Sequence, residues 1–288
     1  MSVYGCASAA AWGYARHTQR RALRLDTDPL QRNDQPAAAS DERPFAVPCR
    51  TVAPRQIFHW LQRGWRDFMR APALSLLFGG VIALISVAVS AMAWSLGRFA
   101  LLAALLSGFV FIAPLLGVGL YCVSRALEAG QTPRLHDSFV LAKRVIGQAG
   151  VFTIVQLVIL LLWSRAGMTV SALVTIQPGD ARSLFEFLLI GSAIGSVFAA
   201  FTFAVAVFSL PMIADRDVDM VTACISSVQA VLHNKLTLLC WAGTLAVLTA
   251  LGFATAFLGL VVIMPWLAYA CWHGYRDTLD ASSWPPLP

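Results

Sequence analysis

Long apolar stretches dominate this chain from residue 73 onward, and short polar segments separate them. A helix needs about 20 apolar residues to cross roughly 30 Å of hydrocarbon. The predicted spanning helices are 73–95, 98–122, 146–164, 186–211, 236–252 and 256–274. The last two come from one uncharged run, which as a single helix would be about 60 Å long and must fold back, so we place a turn at 252–259. Residues 166–178 either extend the third span or form an outer loop.

A second pattern precedes each pair of spans, with apolar residues every three or four positions and charged residues between them. The segments are 54–70, about 135–146 and about 219–233. This period predicts amphipathic helices, and Trp with Arg is typical of helices at a membrane interface. The candidate interface residues of the first segment are Trp60, Arg63, Trp65, Arg66 and Arg70.

These segments begin about 80 residues apart, which indicates a threefold repeat of an interfacial helix followed by a hairpin of two helices. The second span of each pair carries a hinge candidate, and these are Pro114, Pro211 and Pro265. Arg125 and Arg276 each follow their proline by eleven positions. Chance is the alternative, because proline is common in membrane helices.

The patterns together predict an all-α, polytopic membrane protein with about six transmembrane helices in three hairpins, each preceded by an amphipathic cytoplasmic helix. Residues 1–50 are rich in Pro, Ala, Asp and Ser and lack an apolar period, which predicts a disordered N-terminal tail. Residues 51–280 form the predicted membrane domain, and 281–288 form a short C-terminal tail.

Composition supports membrane insertion. Of the 288 residues, 58% are hydrophobic and only 12% are charged, against roughly 25% charged in average soluble proteins. The mean hydropathy is +0.70. A soluble fold needs more polar surface than this chain has, so the apolar excess must face lipid.

Positive charge predicts the orientation. With the N-terminus inside, the outer loops hold Arg98, Arg165 and Arg182, and the other 18 of 21 Lys and Arg residues are cytoplasmic. The positive-inside rule then predicts a multi-pass protein of the bacterial cytoplasmic membrane with both termini in the cytoplasm. The basic tail suits an anionic membrane surface better than nucleic acid, so membrane lipids are the expected partners.

Several segments resemble one family. They are PFAVPCR at 44–50, HWLQRGWRDFMRAP at 59–72, APLLGVGLYCVSRALEAGQTP at 113–133, DRDVDMVTACISSVQAVLHN at 215–234 and HGYRDTL at 273–279. The chain is similar over about 44–280 to domain of unknown function 2189, a family of predicted bacterial integral membrane proteins. The resemblance implies topology more than function, although some relatives carry the label of cytochrome oxidase component.

No catalytic constellation is visible in the sequence. The histidines lie outside the middle of every predicted span, where an oxidase subunit would need axial and copper ligands. The cysteines show no C-x-x-C spacing, and nucleophile motifs and phosphate loops are absent. We therefore expect no catalytic residue, cofactor or metal site.

Two polar features can be interpreted either as structural or as ligand-binding. Asp215, Asp217 and Asp219 are read as a helix stop and an N-cap, with divalent binding as the alternative. Gln156 is the one strongly polar side chain well inside a span, and hydrogen bonding across helices is favoured over substrate binding.

Small residues recur every four positions in the fourth span, at Gly191, Gly195 and Ala199. This spacing permits close helix packing, either inside the bundle or in a homo-oligomer. The function expected from all these features is non-enzymatic, in lipid binding or membrane organisation. A transporter or channel for a small neutral or amphipathic solute, and an accessory subunit of a respiratory complex, are the alternatives.

Overall fold

The computed structural model describes residues 46–96, 116–173 and 181–287. Within these ranges the regular structure is helical, and the extended contacts are two isolated bridges, which confirms the all-α prediction. The helices are α1 (Gln56–Arg70), α2 (Pro72–Leu96), α3 (116–128), α4 (Leu135–Leu173), α5 (Ala181–Ala206), α6 (Ser209–Asp215), α7 (Met220–His233), α8 (Lys235–Ala254) and α9 (Leu260–Thr278), followed by a 3₁₀ turn (Ala281–Ser283).

Four apolar segments of the described residues are long enough to cross a membrane, and they are Pro72–Met92, Leu135–Val170, Ala181–Asp215 and Lys235–Ala254. Most of the predicted span 98–122 lies outside the described residues. The predicted span 256–274 corresponds to α9, which is helical but is not among the four. Its second half carries polar and charged residues, and more than half of its positions are buried against other helices.

The second predicted amphipathic helix, 135–146, is not a separate element. It forms the start of α4, a continuous helix of 39 residues that is about 58 Å long. No proline or N-cap residue interrupts the sequence between the amphipathic part and the apolar part, so the backbone has no reason to break there. α4 continues to Leu173, so much of the segment 166–178 extends the third span.

The turn predicted at 252–259 is confirmed, because α8 ends at Ala254 and α9 begins at Leu260. Ala256 and Phe257 adopt φ values of 52° and 70°, which are uncommon for residues other than glycine. The Thr255 hydroxyl accepts a hydrogen bond from the Gly259 N–H at 2.8 Å and so closes the turn. α8 and α9 thus form an antiparallel hairpin.

α9 packs antiparallel along both α1 and α2, which follow each other with a break at Ala71. Glycines allow this close approach. A Cβ atom at Gly64 would lie 2.6 Å from the Ala270 backbone nitrogen, and one at Gly79 would lie 1.9 Å from the Val261 carbonyl oxygen. α1 therefore lies lengthwise against the second half of α9, and α2 contacts its first half.

Two residues separate the end of α5 from the start of α6, and α7 packs against this break. The hydroxyl of Ser227 in α7 forms hydrogen bonds to the backbone on both sides of this break. It accepts from the Phe208 N–H at 3.1 Å and donates to the Ala204 carbonyl at 2.7 Å. Phe208 is completely buried beside α9, where a Cβ at Gly274 would approach its ring. Pro211 follows in the first turn of α6, a position that tolerates the missing N–H.

The described part of the N-terminal region packs against the helices. The chain divides between Arg43 and Pro44, and the predicted tail up to residue 45 lies outside the described residues. Residues 46–50, which we assigned to the disordered tail, contact α7 and the C-terminal segment. The Val47 N–H donates to the Ser226 hydroxyl at 2.9 Å, and the Arg50 side chain pairs with Asp280 at 2.8 Å.

Candidate functional site

The ends of α3, α6 and α9 meet in a group of polar side chains. Arg276 of α9 lies between two carboxylates, with Nε 3.4 Å from Oε1 of Glu128 and Nη1 3.2 Å from Oδ2 of Asp215. Glu128 also accepts a hydrogen bond from the Trp272 indole N–H at 3.0 Å. Partial burial lowers the pKa of Arg276, but the charges of Glu128 and Asp215 together outweigh it, so the pKa lies above its ordinary value. One guanidinium therefore joins the three helix ends.

Asp215 is the most heavily used carboxylate of this group. Its Oδ2 accepts from the Tyr275 hydroxyl at 2.9 Å and from Nε of Arg216 at 3.1 Å. Burial, together with the charge of Asp215, raises the pKa of Tyr275 well above its ordinary value. Tyr275 consequently serves as a neutral hydrogen-bond donor rather than as an acid.

The C-terminal segment closes over the same helix ends. The Leu287 N–H donates to the Asp215 carbonyl at 2.9 Å, and Nη1 of Arg216 donates to the Trp284 carbonyl at 3.0 Å. Arg125 of α3 donates to the Ala214 carbonyl at 3.2 Å and also to the Leu287 carbonyl. The described residues after α9, which we predicted to be a short tail, thus pack against the helix ends.

A second polar group lies between α1, α3 and α9. Asp67 is buried, and its Oδ2 accepts from the Ser124 hydroxyl at 2.8 Å and lies 2.8 Å from Nε2 of His273. Ser124 and His273 contact the same carboxylate oxygen and are not hydrogen-bonded to each other. A nucleophile needs its base within direct reach, so this arrangement holds helices together rather than activating the serine.

The remaining cysteine and acidic side chains have mainly structural surroundings in the part of the chain that the structure describes. Among the described residues, no group of three or more His, Cys, Asp or Glu side chains is placed to hold a metal ion. Burial raises the pKa of the Cys224 thiol to about 11, which keeps it protonated near neutral pH. Asp219 caps α7 by accepting from the Thr222 N–H at 2.8 Å, which confirms its predicted role as N-cap.

A cavity of about 430 Å³ lies at the junction of α3 and α4. Its polar wall consists of Arg125, Gln131, His136, Asp137 and Arg144. Its apolar wall consists of Cys122, Ala126, Ala129, Val140 and Leu141. We call this the α3–α4 cavity. Its volume lies within the range of about 300–1,000 Å³ that is typical of small-molecule sites.

The predicted interface residues occupy different places on α1. Trp60 is completely buried, with its indole N–H 2.9 Å from Oδ2 of Asp277 and its ring 5.7 Å from that of Trp241. Arg63 pairs with the same Asp277 at 3.2 Å. Trp60 therefore contacts protein rather than lipid.

The other three predicted interface residues remain on the surface. Trp65 is partly exposed and stacks on Phe68 with ring centroids 5.3 Å apart. Arg66 and Arg70 are exposed. Their role at a membrane interface stays a prediction.

The hinge and packing candidates also fall in different settings. Pro114 lies outside the described residues, Pro211 follows the break between α5 and α6, and Pro265 lies inside α9 beside Gly79. A Cβ at Gly195 would lie 3.7 Å from the Trp163 indole nitrogen, so this glycine faces α4. Gly191 has open space where a Cβ would be, and Ala199 is exposed. The roles of these prolines as hinges and of these small residues in a homo-oligomer stay predictions.

Sequence reasoning did not find the meeting of Glu128, Asp215 and Arg276. One signal was present, because Arg125 and Arg276 share the same offset from their prolines, and both make contacts at the ends of α3, α6 and α9. The acidic partners had no such signal. Hydrogen bonding of Gln156 across helices stays a prediction, since its Oε1 is buried without a hydrogen-bond partner among the described residues.

The apolar helices and the composition define an integral membrane protein with several helices long enough to span a bilayer. Residues 101–215 match the family model described as Predicted integral membrane protein (DUF2189), which confirms the resemblance noted from the sequence over that part of the chain. No curated protein and no solved structure matches the chain significantly.

Proposed function

We propose that this protein is a non-enzymatic component of the bacterial cytoplasmic membrane that binds lipid and organises the bilayer around it. The proposed topology has six spanning helices in three hairpins, with both termini in the cytoplasm. The distribution of Lys and Arg supports this orientation. On this topology the polar groups at the ends of α3, α6 and α9 lie on the cytoplasmic side.

The observation that carries the proposal is the outer face of α1. One face of this helix is fixed against α9 by Trp60 and Gly64, while Phe58 on the outer face is 77% exposed. Met69 is exposed beside Arg66 and Arg70. Exposed apolar side chains interleaved with arginines suit the boundary between headgroups and acyl chains, where the guanidinium groups meet anionic phosphates.

The proposal is tested by replacing this outer face without disturbing the packed one. The variant Phe58→Gln/Arg66→Gln/Arg70→Gln removes one exposed apolar side chain and two positive charges. Val221→Gln/Arg134→Gln/Lys143→Gln is a matched control, because its three residues are also exposed and lie elsewhere. Both are purified in mild detergent from the same membranes, and co-purifying phospholipid is quantified by native mass spectrometry.

We expect the wild type and the control to retain anionic phospholipid at several times its share of the membrane. The α1 variant should retain at least about threefold less. Equal retention by all three proteins would remove the basis of the proposal, as would a wild type that carries no lipid at all.

A solute transporter is the second candidate, and Pro265 inside α9 is the observation that favours it. A proline in a helix interior removes a backbone hydrogen bond and can act as a hinge. Efflux of a small neutral solute from vesicles containing the protein, lost in Pro265→Ala, would support transport over lipid organisation. An accessory role in a respiratory complex would be supported by co-purification of haem absorbance.

A further inference from the structure

The α3–α4 cavity is a half-open volume lined by two arginines beside an apolar helix face. It lies away from the outer face of α1 and shares no residue with it. Two arginines and a histidine line it, against a single carboxylate, that of Asp137. The balance of charge in the cavity is therefore positive, which suits an anionic ligand.

Arg125 is held in place before any ligand arrives. Two of its five N–H donors are engaged by the carbonyl oxygens of Ala214 and Leu287, which are neutral acceptors and leave its charge uncompensated. The guanidinium is thus anchored on the protein side while it lines the cavity. A fixed cation of this kind loses little conformational entropy when it binds an anion.

Arg144 supplies the second positive charge of the cavity, from α4. It lies on the second turn beyond His136 in α4, is exposed, and forms no hydrogen bond or ion pair within the part of the chain that the structure describes. Arginine binds phosphate oxygens with two parallel N–H donors, so a pair of arginines from two different helices is well suited to a phosphate group. Gln131 adds a neutral donor to the same wall.

The remaining wall is apolar and continues along α4. Val140 and Leu141 line the cavity, and Val140 is partly open to the outside, next to the strongly exposed Phe139. Ile146 and Val151 are exposed further along the same helix, in a segment apolar enough to cross a membrane. The apolar part of a ligand whose phosphate group lies in the cavity could therefore extend along the apolar surface of α4.

We infer that the α3–α4 cavity binds an anionic phospholipid, with its phosphate group between Arg125 and Arg144 and its acyl chains along α4. A free phosphate ion would use the charges but would not need the apolar wall, which is why the lipid is favoured. This inference rests on the proposed function in that the protein holds lipid, and it assigns a specific headgroup site that α1 does not contain.

The test uses delipidated full-length protein in mild detergent, titrated with dioctanoyl phosphatidylglycerol and followed by native mass spectrometry. The variants are Arg144→Gln and Arg144→Glu, with Lys143→Gln as the matched control, because Lys143 is the adjacent exposed cation and does not line the cavity. The Phe58→Gln/Arg66→Gln/Arg70→Gln variant is measured alongside. Thermal unfolding of each variant shows whether it is folded, and a surface substitution should change stability little.

We expect one saturable phosphatidylglycerol per chain, bound about tenfold more weakly by Arg144→Gln and still more weakly by Arg144→Glu. Lys143→Gln and the α1 variant should bind it like the wild type. Millimolar inorganic phosphate should leave this binding unchanged.

Two results would overturn the site while leaving lipid binding as a function. The first is binding that survives both Arg144 substitutions but is lost in the α1 variant, which would assign the lipid to α1. The second is competition by inorganic phosphate at the same concentration at which it binds alone, which would make the cavity a site for a soluble anion. A wild type that binds no phosphatidylglycerol would overturn both the site and the proposed function.

Discussion

Arg276 and Asp215 form an ion pair between the last turn of α9 and the end of α6, with Nη1 3.2 Å from Oδ2. The two residues are 61 positions apart in the chain and belong to different predicted repeats. Because Arg276 also contacts Glu128 at the end of α3, a single side chain connects the ends of three helices. The pair is therefore expected to stabilise the association of α3, α6 and α9.

Asp215→Asn should lower the free energy of unfolding by about 2–3 kcal/mol. The value is below the roughly 3–5 kcal/mol of fully buried pairs because the Arg276 side chain keeps 36% of its surface exposed. Denaturant unfolding in mild detergent measures the loss. The control is Glu186→Gln, which breaks an exposed pair between neighbouring turns of α5 and should cost less than about 0.5 kcal/mol. Equal costs for the two variants would contradict the proposed importance of the Asp215 contacts.

Asp67 and His273 should be energetically coupled. Their polar atoms lie 2.8 Å apart and both side chains are largely buried, so each substitution removes the same contact. A double-mutant cycle with Asp67→Asn and His273→Gln is expected to give an interaction energy of about 0.5–3 kcal/mol. Strictly additive losses would show that the contact contributes nothing. Ser124→Ala, which removes the other donor to Asp67, should cost about 1 kcal/mol.

Gly79→Ala and Gly80→Ala should have opposite effects on stability. A Cβ at Gly79 would lie 1.9 Å from the Val261 carbonyl oxygen, which is backbone and cannot move without shifting α9. The expected loss is at least about 1–3 kcal/mol. At Gly80 nothing lies within 4 Å, and alanine should stabilise the helix by roughly 0.5–1 kcal/mol. Thermal unfolding of both variants in the same detergent checks the pair, and a harmless Gly79→Ala would mean that α2 and α9 are further apart.

Asp280 should make stability depend on acid pH. Hydrogen bonds from Ser282, and then the Arg50 guanidinium, lower the pKa of Asp280 to about 2. A carboxyl group with a lowered pKa stabilises the folded state above its unfolded pKa of about 4, and this contribution is lost as the pH falls toward 2. The wild type should therefore be more stable than Asp280→Asn above about pH 5, and the two should converge near pH 2.

Ser282→Ala is the informative companion to that measurement. It removes the strongest contributor to the lowered pKa of Asp280, which brings the folded-state pKa closer to the unfolded value. The acid loss of stability should therefore be smaller than in the wild type and complete at a higher pH. Unfolding curves recorded at several pH values separate the variants. Parallel curves for the wild type and Asp280→Asn would mean that the contacts of Asp280 with Ser282 and Arg50 do not influence folding.

The sequence predicts the helices well because apolar length and turn residues are local features. The turn between α8 and α9 follows from the excess length of one apolar run, and α2 and α8 lie within a few residues of their predicted limits. The prediction of a separate helix at 135–146 was wrong, and the reason is again local. A change from amphipathic to fully apolar composition does not by itself break a helix when no proline or capping residue stands at the boundary.

The partners of each helix could not be predicted in the same way. In a membrane protein, both lipid and neighbouring helices present apolar surfaces, so an apolar residue does not reveal which of them it faces. Trp60 and Trp65 look equivalent in the sequence, yet one is buried beside Trp241 and the other is partly exposed. The pairing of Asp67 with His273 joins residues 206 positions apart, and no local pattern encodes such a contact.

The antiparallel packing of α1 on α9 also has a consequence for biosynthesis. The ribosome completes α1 early, but the Trp60 indole N–H bonds to Asp277, a residue 217 positions later in the chain. At about 5–20 residues per second, α1 waits roughly 10–40 s for its partner to be made. During that interval its Trp60 face is uncovered, and the helices between α1 and α9 are made without this contact. The contact between α1 and α9 can therefore form only after α9 has been made, and a chain truncated before α9 would leave the first helix without its main contact.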